Sequence, residues 1–240
     1  TLFRSFLSHI IPRVCLFVAT LQYKNVTDMK TTMHLLNTMT SWVGKKATIA
    51  AFITFGFLSA QAQTPATVWN LDKSHSAVSF EIDHMVISEV QGKFNEFTAD
   101  VKADKADFID VKGTITIALK SIDTDNDKRD EHLRSADFFN VEKNPNMTFV
   151  IKKFTKVSGK QYKVTGDLTL NGITKTVTLN AKFGGIIKDP WGLTRTGITV
   201  TGEIDRYAFG LKYNAALEAG GLTIGQKVNI KVALEFTKAN

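Results

Sequence analysis

From residue 76 onwards, hydrophobic and polar residues alternate with a period of two over most of the chain. The last segment shows the pattern best, because Val228, Ile230, Val232 and Leu234 share one face with Phe236. Such alternation is typical of a β-strand that has one buried and one solvated face. Similar segments predict eight strands, near 76–84, 90–103, 111–120, 146–155, 161–171, 174–187, 195–206 and 226–237.

Short connections between these segments indicate antiparallel neighbours in an up-and-down order. Asn171-Gly172 is a strong signal for a two-residue hairpin turn. Phe94 and Phe97 cannot share a face of a regular strand, so a bulge is expected near Asn95. The fold class is therefore all-β, and a closed barrel or a two-sheet sandwich would each hide the apolar faces. The alternation itself does not separate these two architectures.

One polar segment departs from the alternation and predicts a short helix over residues 127–136. Asp127 is the expected N-cap, and Asp130 would place a carboxylate in the first turn, where the helix dipole favours negative charge. Leu133 and Ala136 are expected to face the strands.

The N-terminal part of the chain has the layout of a secretory leader. Within residues 39–62, two lysines precede an apolar run of twelve residues at 47–58, and a small-x-small motif then predicts cleavage after Ala62. A membrane anchor would need roughly 20 apolar residues. We expect export to the periplasm or full secretion, and the leader does not distinguish the two. Residues 1–38 are interpreted as upstream sequence or a disordered leader.

The remaining chain, 63–240, has the low net charge and the length of a single domain that is stabilised by a hydrophobic core. The formal net charge of +7 falls to +2 once the leader is removed, because residues 1–62 hold six Lys or Arg residues and one acidic residue. No basic patch with interleaved aromatic residues is left, so we expect no nucleic-acid partner. Since Cys15 is the only cysteine, disulfides cannot stabilise this domain, and a hydrophobic core must do so.

No catalytic or metal-binding motif is recognisable in this domain. Its histidines, His75, His84 and His132, lack the spacing of metal ligands. A serine nucleophile would need a base and an orienting acid, and there is no Gly-x-Ser-x-Gly turn to present one. The Asp-rich segment 123–127 resembles the start of a calcium loop but lacks its glycine and final glutamate. We therefore predict a binding protein without enzymatic activity or a bound metal.

Three motifs are similar to those of the YceI-like family: LDKSHS at 71–76, DTDNDKRDEHLRSADFF at 123–139 and GDLTLNGITK at 166–175. The resemblance covers nearly all of 69–237. It implies an eight-stranded, lipocalin-like antiparallel barrel with a small helical part, and so favours the barrel over the sandwich. It also implies that an exported protein holds a polyisoprenoid or similar lipid. Within the second motif, Arg129 and Asp130 are interpreted as an ion pair that holds the helix against the barrel, with contact to a ligand head group as the alternative.

With that resemblance, the inward faces of the predicted strands become candidates for a lipid site. His84 and Tyr162 are the candidates for polar contact, and Gly166, Ala181 and Gly202 would reduce bulk in the interior. The candidates for contact with the apolar chain of the ligand are Val78, Phe80, Ile82, Phe94, Ile117, Phe149, Ile151, Val164, Leu168, Leu179, Val200 and Leu234.

The expected ligand is a long apolar molecule such as an isoprenoid quinone, a polyprenyl phosphate, or a fatty amide or acid, and no other cofactor is expected. Burying a methylene contributes about 0.8 kcal/mol, whereas one neutral hydrogen bond contributes about 1 kcal/mol net. Affinity should therefore follow the length of the apolar chain. Transient membrane contact and a homodimer stay open.

Two alternatives to lipid carriage follow from the same residues. The first is a structural or stress-related exported barrel that has a filled core and a protein partner. The second is a lipid-processing enzyme, which the missing nucleophile and metal motifs disfavour. An interior filled by its own side chains would exclude the carrier.

Overall fold

The computed structural model describes residues 66–218 and 220–239. The predicted leader, 39–62, and the segment 1–38 lie outside these residues. The elements are β1 (Val68–His84), β2 (Ser88–Phe94), β3 (Phe97–Lys102), β4 (Lys112–Ala118), a 3-10 turn (Leu119–Ser121), β5 (Ile122–Asp123), α1 (Asp127–Arg134), β6 (Asn146–Ser158), β7 (Gln161–Leu170), β8 (Ile173–Lys188), β9 (Thr194–Asp205), a second 3-10 turn (Arg206–Phe209) and β10 (Ile224–Lys238).

The strands form a closed antiparallel barrel in the order β10-β9-β8-β7-β6-β4-β3-β1-β2-β5, and pairing of β1 with β10 closes it. Both β2 and β3 pair with β1, and β5 extends the path of β4 by pairing with β2. Counting β2 with β3 and β4 with β5 as two interrupted strands gives eight strands. The predicted barrel is confirmed.

The predicted break near Asn95 is also confirmed. β2 ends at Phe94 and β3 begins at Phe97, and both phenylalanines are buried. The amides of Asn95 and Glu96 instead donate to Ser121, at 3.1 Å to its carbonyl and 2.9 Å to its hydroxyl. The interruption therefore turns both aromatic rings into the core.

The first strand begins at Val68 and not near residue 76, so its predicted start was wrong. Its pairing with β10 is irregular between Asp72 and Ala77, where Ser74 and His75 are exposed. This bulge breaks the alternation of apolar residues, and the strand before it was missed for that reason.

Two of the inward glycines allow a neighbouring side chain to lie close against the sheet. A methyl group on Gly166 would overlap the ring of Phe149, and one on Gly202 would lie 2.6 Å from Cδ2 of Leu179. Each glycine therefore makes room for a neighbouring side chain, which fills the space that the missing Cβ leaves.

One end of the barrel is closed by aromatic side chains, and we call it the closed end. Residues 103–111 fold across it, and the fully buried Phe108 has its ring 5.0 Å from that of Trp69 and 5.1 Å from that of Phe183. Trp69 Nε1 donates to the carbonyl of Ala103 at 3.1 Å. This cluster seals the barrel where β1 begins and β10 ends.

The helix α1 begins at Asp127, as predicted, and ends two residues earlier than predicted. Asn126, not Asp127, is its N-cap, because Asn126 has an extended backbone and its side chain accepts from the amide of Arg129. Leu133 packs against the core as expected. Ala136 is exposed, since the helix has already ended at Arg134. Within the described part of the chain, no helix has the length and apolarity that crossing a membrane requires.

Candidate ligand cavity

An apolar cavity of about 540 Å³ runs through the barrel interior. Near the closed end it is lined by Val101, Val111 and Phe236, and at the opposite end it reaches Ile82 and Ile224. Ligand pockets in proteins span roughly 300–1,000 Å³, so the volume suits a small-molecule ligand. The interior is therefore not filled by its own side chains, and the condition that would have excluded a carrier is not met.

All but one of the candidate residues predicted from the strands line this cavity. Those that do are Val78, Phe80, Ile82, His84, Phe94, Ile117, Phe149, Ile151, Val164, Leu168, Leu179, Val200 and Leu234. Tyr162 does not: it is buried at the closed end, where its ring stacks on Phe154 at 4.7 Å and lies 5.7 Å from Phe183. Ligand contact by the other residues stays a prediction.

The cavity reaches the surface at the end of the barrel that carries α1, and we call this opening the mouth. Exposed residues among the lining, Asp83, Lys128 and Tyr213, mark it. His84 lies at the mouth, half-buried, at the last position of β1. It therefore lies at the rim of the cavity and not in its apolar middle.

An aromatic cluster covers part of the mouth. His132 on α1 packs its ring edge-on against Phe138 and against Tyr213, with both pairs of ring centres 5.0 Å apart. Tyr213 belongs to the segment 210–223, which joins the second 3-10 turn to β10. The cluster therefore connects the helix to this segment across the opening. Sequence reasoning missed Tyr213, because the segment shows no alternation that would assign its side chains to a face.

Arg206 fixes the segment 210–223 from beneath. It is buried, and its guanidinium donates to four backbone carbonyls: Nε to Gly225 at 2.7 Å, Nη1 to Leu211 and Tyr213 at 2.6 and 2.9 Å, and Nη2 to Ile224 at 3.2 Å. Burial lowers the pKa of Arg206 from its ordinary value, and an arginine remains charged nonetheless. The Arg206 guanidinium thus holds the segment, including the carbonyl of Tyr213, against the start of β10.

Arg129 and Asp130 hold α1 in place, but not through an ion pair with each other. Arg129 donates from Nε to Oγ1 of Thr124 at 2.8 Å and from Nη2 to the Thr124 carbonyl at 2.6 Å. The buried Asp130 accepts from the amide and the hydroxyl of Thr124, at 3.0 and 2.5 Å. The interpretation as an ion pair was wrong because both side chains bind Thr124 instead. Thr124, Lys128 and Arg129 also line the cavity.

A charged cluster lies away from the cavity, on the bulge of β1 near the closed end. Arg195 donates to the carboxylates of Asp189, Asp72 and Glu235 at 2.6, 2.7 and 2.8 Å. His75 Nδ1 lies 3.0 Å from Asp72. Bonds from Ser74, His75 and Arg195 hold the pKa of Asp72 well below its usual range, and the three carboxylates raise that of Arg195.

Asp72, His75 and Glu235 are close enough to share a metal ion. The guanidinium of Arg195, however, already bridges the two carboxylates and offsets part of their negative charge. We therefore interpret the cluster as an ion-pair network that fastens β1 to β9 and β10 where the bulge interrupts regular pairing.

This network predicts a measurable pH effect at His75. We expect an NMR titration to give His75 a pKa above its ordinary 6.5, because Asp72 bonds to the ring and Glu235 adds negative charge, while Arg195 opposes both in part. The raised value means that protonated His75 contributes stability below pH 6.5, and that this contribution is lost as the pH rises through the folded-state pKa.

The matched test compares two aspartates in that titration. Asp72→Asn should return the His75 pKa towards its ordinary value, whereas Asp100→Asn, an exposed position on β3, should leave it unchanged. An unaltered His75 titration in Asp72→Asn would show that the carboxylate does not set this pKa.

In the residues that the structure describes, the fold and the cavity define a closed, lipocalin-like β-barrel with an apolar interior and an aromatic-covered opening at the end that carries α1. The model of the YceI-like domain matches residues 69–236, which is almost the whole barrel. The chain belongs to the YceI-like family.

Two staphylococcal relatives support the assignment by sequence. The chain is 41% identical over 172 residues to a UPF0312 protein of Staphylococcus aureus strain bovine RF122, covering 71% of this chain and 98% of that protein. It is also 41% identical over 175 residues to a UPF0312 protein of Staphylococcus epidermidis strain ATCC 12228, covering 72% of this chain and 99% of that one.

Solved structures show the same fold. Burkholderia cenocepacia BcnA superimposes with a TM-score of 0.59 at 25% identity, covering 69% of this chain and 99% of that one. The Campylobacter jejuni YceI protein gives 0.57 at 32% identity, covering 66% and 90%. A polyisoprenoid binding domain from Saccharophagus degradans gives 0.51 at 17% identity, covering 71% and 98%.

Proposed function

We propose that this protein is an exported lipid-binding protein that holds a polyisoprenoid or a similar long apolar molecule inside its barrel, for carriage or storage. The observation that carries the proposal is the unfilled cavity of about 540 Å³, whose lining is almost entirely apolar. The relation in fold to a domain that is described as polyisoprenoid binding supports the same ligand class.

The volume sets the scale of the ligand. If each carbon group takes roughly the 30 Å³ that a water molecule takes in the liquid, the cavity holds on the order of 18 carbon groups, or three to four isoprene units. Burying four such units would contribute on the order of 10 kcal/mol before ordering costs. A longer chain would leave its remainder at the mouth.

The distribution of polar groups sets the orientation. Polar side chains of the cavity lining, His84, Arg129, His132 and Tyr213 among them, gather at the mouth. The closed end offers hydrocarbon and aromatic rings. We therefore place the apolar chain of the ligand towards Phe108 and its polar end among the mouth residues. Isoprenoid quinones, polyprenyl phosphates and fatty amides or acids all have this form.

A binding role is proposed in preference to catalysis or a purely structural role. The cavity has no motif that would supply a nucleophile and a base together, and an open interior does not suit a barrel that only needs a packed core. Export to the periplasm or full secretion is part of the proposal, and it rests on the leader-like pattern at 39–62.

Native mass spectrometry of the protein purified from its own host tests the proposal. We expect a complex whose extra mass matches an intact lipid with an apolar chain, released on solvent extraction. Protein that carries no lipid, and that also fails to take up a polyprenol from detergent, would contradict lipid binding. If the lipid is chemically altered after incubation with the protein, the alternative of a lipid-processing enzyme would be supported instead.

A further inference from the structure

A group of apolar side chains is exposed at the mouth end of the barrel. Met85, Val86 and Ile87 form the turn between β1 and β2, and Leu222 lies beside them in the segment before β10. Val86 is 73% exposed and Ile87 85% exposed. We call these four residues the apolar tip. Three consecutive apolar residues at an exposed turn are unusual in a water-soluble surface, where such positions are normally polar.

The backbone of the turn makes the choice of residues more unusual. Met85 and Val86 have φ angles of 51° and 63°, in the left-handed region. A β-branched residue is disfavoured there, and Asn or Gly is preferred. The hairpin between β7 and β8 uses Asn171-Gly172, with φ angles of 50° and 73°, for the same kind of geometry. The chain therefore keeps an apolar turn in a conformation that a polar one would adopt more easily, and local strain of this kind is often found at functional sites.

The apolar tip adjoins the mouth of the cavity. The amide of Met85 donates to the carbonyl of Thr223 at 2.8 Å, and Thr223 lines the cavity. Asp83 and His84, which directly precede the tip, line it too. Whatever covers the tip will therefore lie against the opening through which a ligand must pass.

The size of the apolar tip limits what can cover it. A stable protein interface takes roughly 20–30 residues from each partner, and the tip offers four. Insertion into the interface of a bilayer needs much less, since a few apolar side chains that reach about 5–10 Å into the headgroup region are sufficient. Nearby charges have both signs, with Asp83 and Glu89 on the strands and Lys128 and Arg129 on α1, so electrostatic attraction is not the main term.

We propose that the apolar tip inserts into the interfacial region of a lipid bilayer and thereby holds the mouth of the barrel at the membrane surface. An apolar ligand can then pass between bilayer and cavity without crossing bulk water. The transfer of a ligand rests on the proposed lipid-binding function, whereas membrane insertion rests on the apolar tip alone. Because the driving force is apolar, binding should be similar for vesicles of phosphatidylcholine alone and for vesicles that also contain phosphatidylglycerol.

Co-sedimentation of the full chain with phosphatidylcholine vesicles tests the docking. Val86→Asn and Ile87→Ser should each lower the vesicle-bound fraction, and together they should weaken partitioning at least tenfold, about 1.4 kcal/mol. Asn tolerates a positive φ, so Val86→Asn should not weaken the fold, and thermal unfolding checks this. The matched control is Ile187→Ser, an isoleucine on β8 that is 62% exposed near the closed end, and it should bind as the parent does.

Three results would overturn the proposal. The tip variants could bind as well as the parent, which would assign membrane binding to another surface. Ile187→Ser could lose as much binding as Ile87→Ser. The tip variants could change the sedimentation coefficient of the free protein and not its vesicle binding, which would make the tip a contact between two copies.

The docking and the carrier proposals can fail separately. Native mass spectra of the tip variants should retain the lipid of the parent, because the cavity is unchanged. If no variant and no parent carries lipid, yet vesicle binding still depends on the tip, carriage is wrong and docking stands. If the lipid is retained and vesicle binding does not depend on the tip, the docking proposal is wrong and lipid carriage stands.

Discussion

Replacing Leu179 by Trp is expected to remove most of the lipid that copurifies with the protein, at least tenfold, while the barrel stays folded. Leu179 lies on the inward face of β8, lines the cavity and packs against Gly202. An indole ring there must extend into the free space, because the backbone of β9 closes the other side. Overpacking of this kind typically costs about 1–3 kcal/mol, which a barrel of this size can tolerate. Native mass spectrometry measures the bound lipid.

The control for this substitution is Ile187→Trp, on the same strand but with its side chain 62% exposed. It adds the same ring without reaching the interior, so it should carry as much lipid as the parent. A Leu179→Trp protein that is folded by circular dichroism and still carries the full amount of lipid would refute a ligand at this position of the cavity.

Replacing Arg206 by Met is expected to give the largest loss of stability from a single polar side chain. The substitution removes the charged donor from four backbone carbonyls, of which only that of Ile224 keeps a second bond, from Nδ2 of Asn214. Hydrogen bonds to charged groups contribute about 1.5–3 kcal/mol each. Part of the segment 210–223 will turn towards water, so we expect a net loss of roughly 3 kcal/mol in the free energy of unfolding. Urea denaturation measures it.

Arg206→Met should also speed ligand exchange, because Tyr213 loses the bond that holds its carbonyl and the aromatic cluster over the mouth loosens. Lys212→Met, an exposed position in the same segment, is the control and should change neither stability nor exchange. An Arg206→Met protein with wild-type stability would mean that the segment is held by other contacts.

The strands and their inward faces could be predicted because a half-buried strand imposes a period of two on the sequence. The break near Asn95 and the Asn171-Gly172 turn could also be predicted, because each is a local feature with its own sequence signal. The first half of β1 was missed because its bulge at 72–77 interrupts the period. Closure into a barrel, by contrast, is a property of all the strands together, and the family resemblance decided it.

The sequence predicts which residues of the site face inwards, but not how far along the barrel axis each of them lies. Alternation assigns a residue to the inner or outer face, but it does not give its height along the barrel axis. Tyr162 and Val164 share a face of β7, yet Val164 lines the cavity and Tyr162 is stacked into the closed end. Alternation likewise does not show that the ring of Phe149 lies against Gly166. Tyr213 and Arg206 lie outside the strands, where no period applies.

The aromatic seal formed by Phe108, Trp69 and Phe183 makes the pocket blind-ended. For the described part of the chain, a molecule bound as proposed would leave by the same opening through which it entered, and transfer from one end of the barrel to the other would be excluded. Uptake and release would then use the same opening. Whether the ligand enters or leaves would depend on the membrane or acceptor that lies against this opening, and not on the barrel itself.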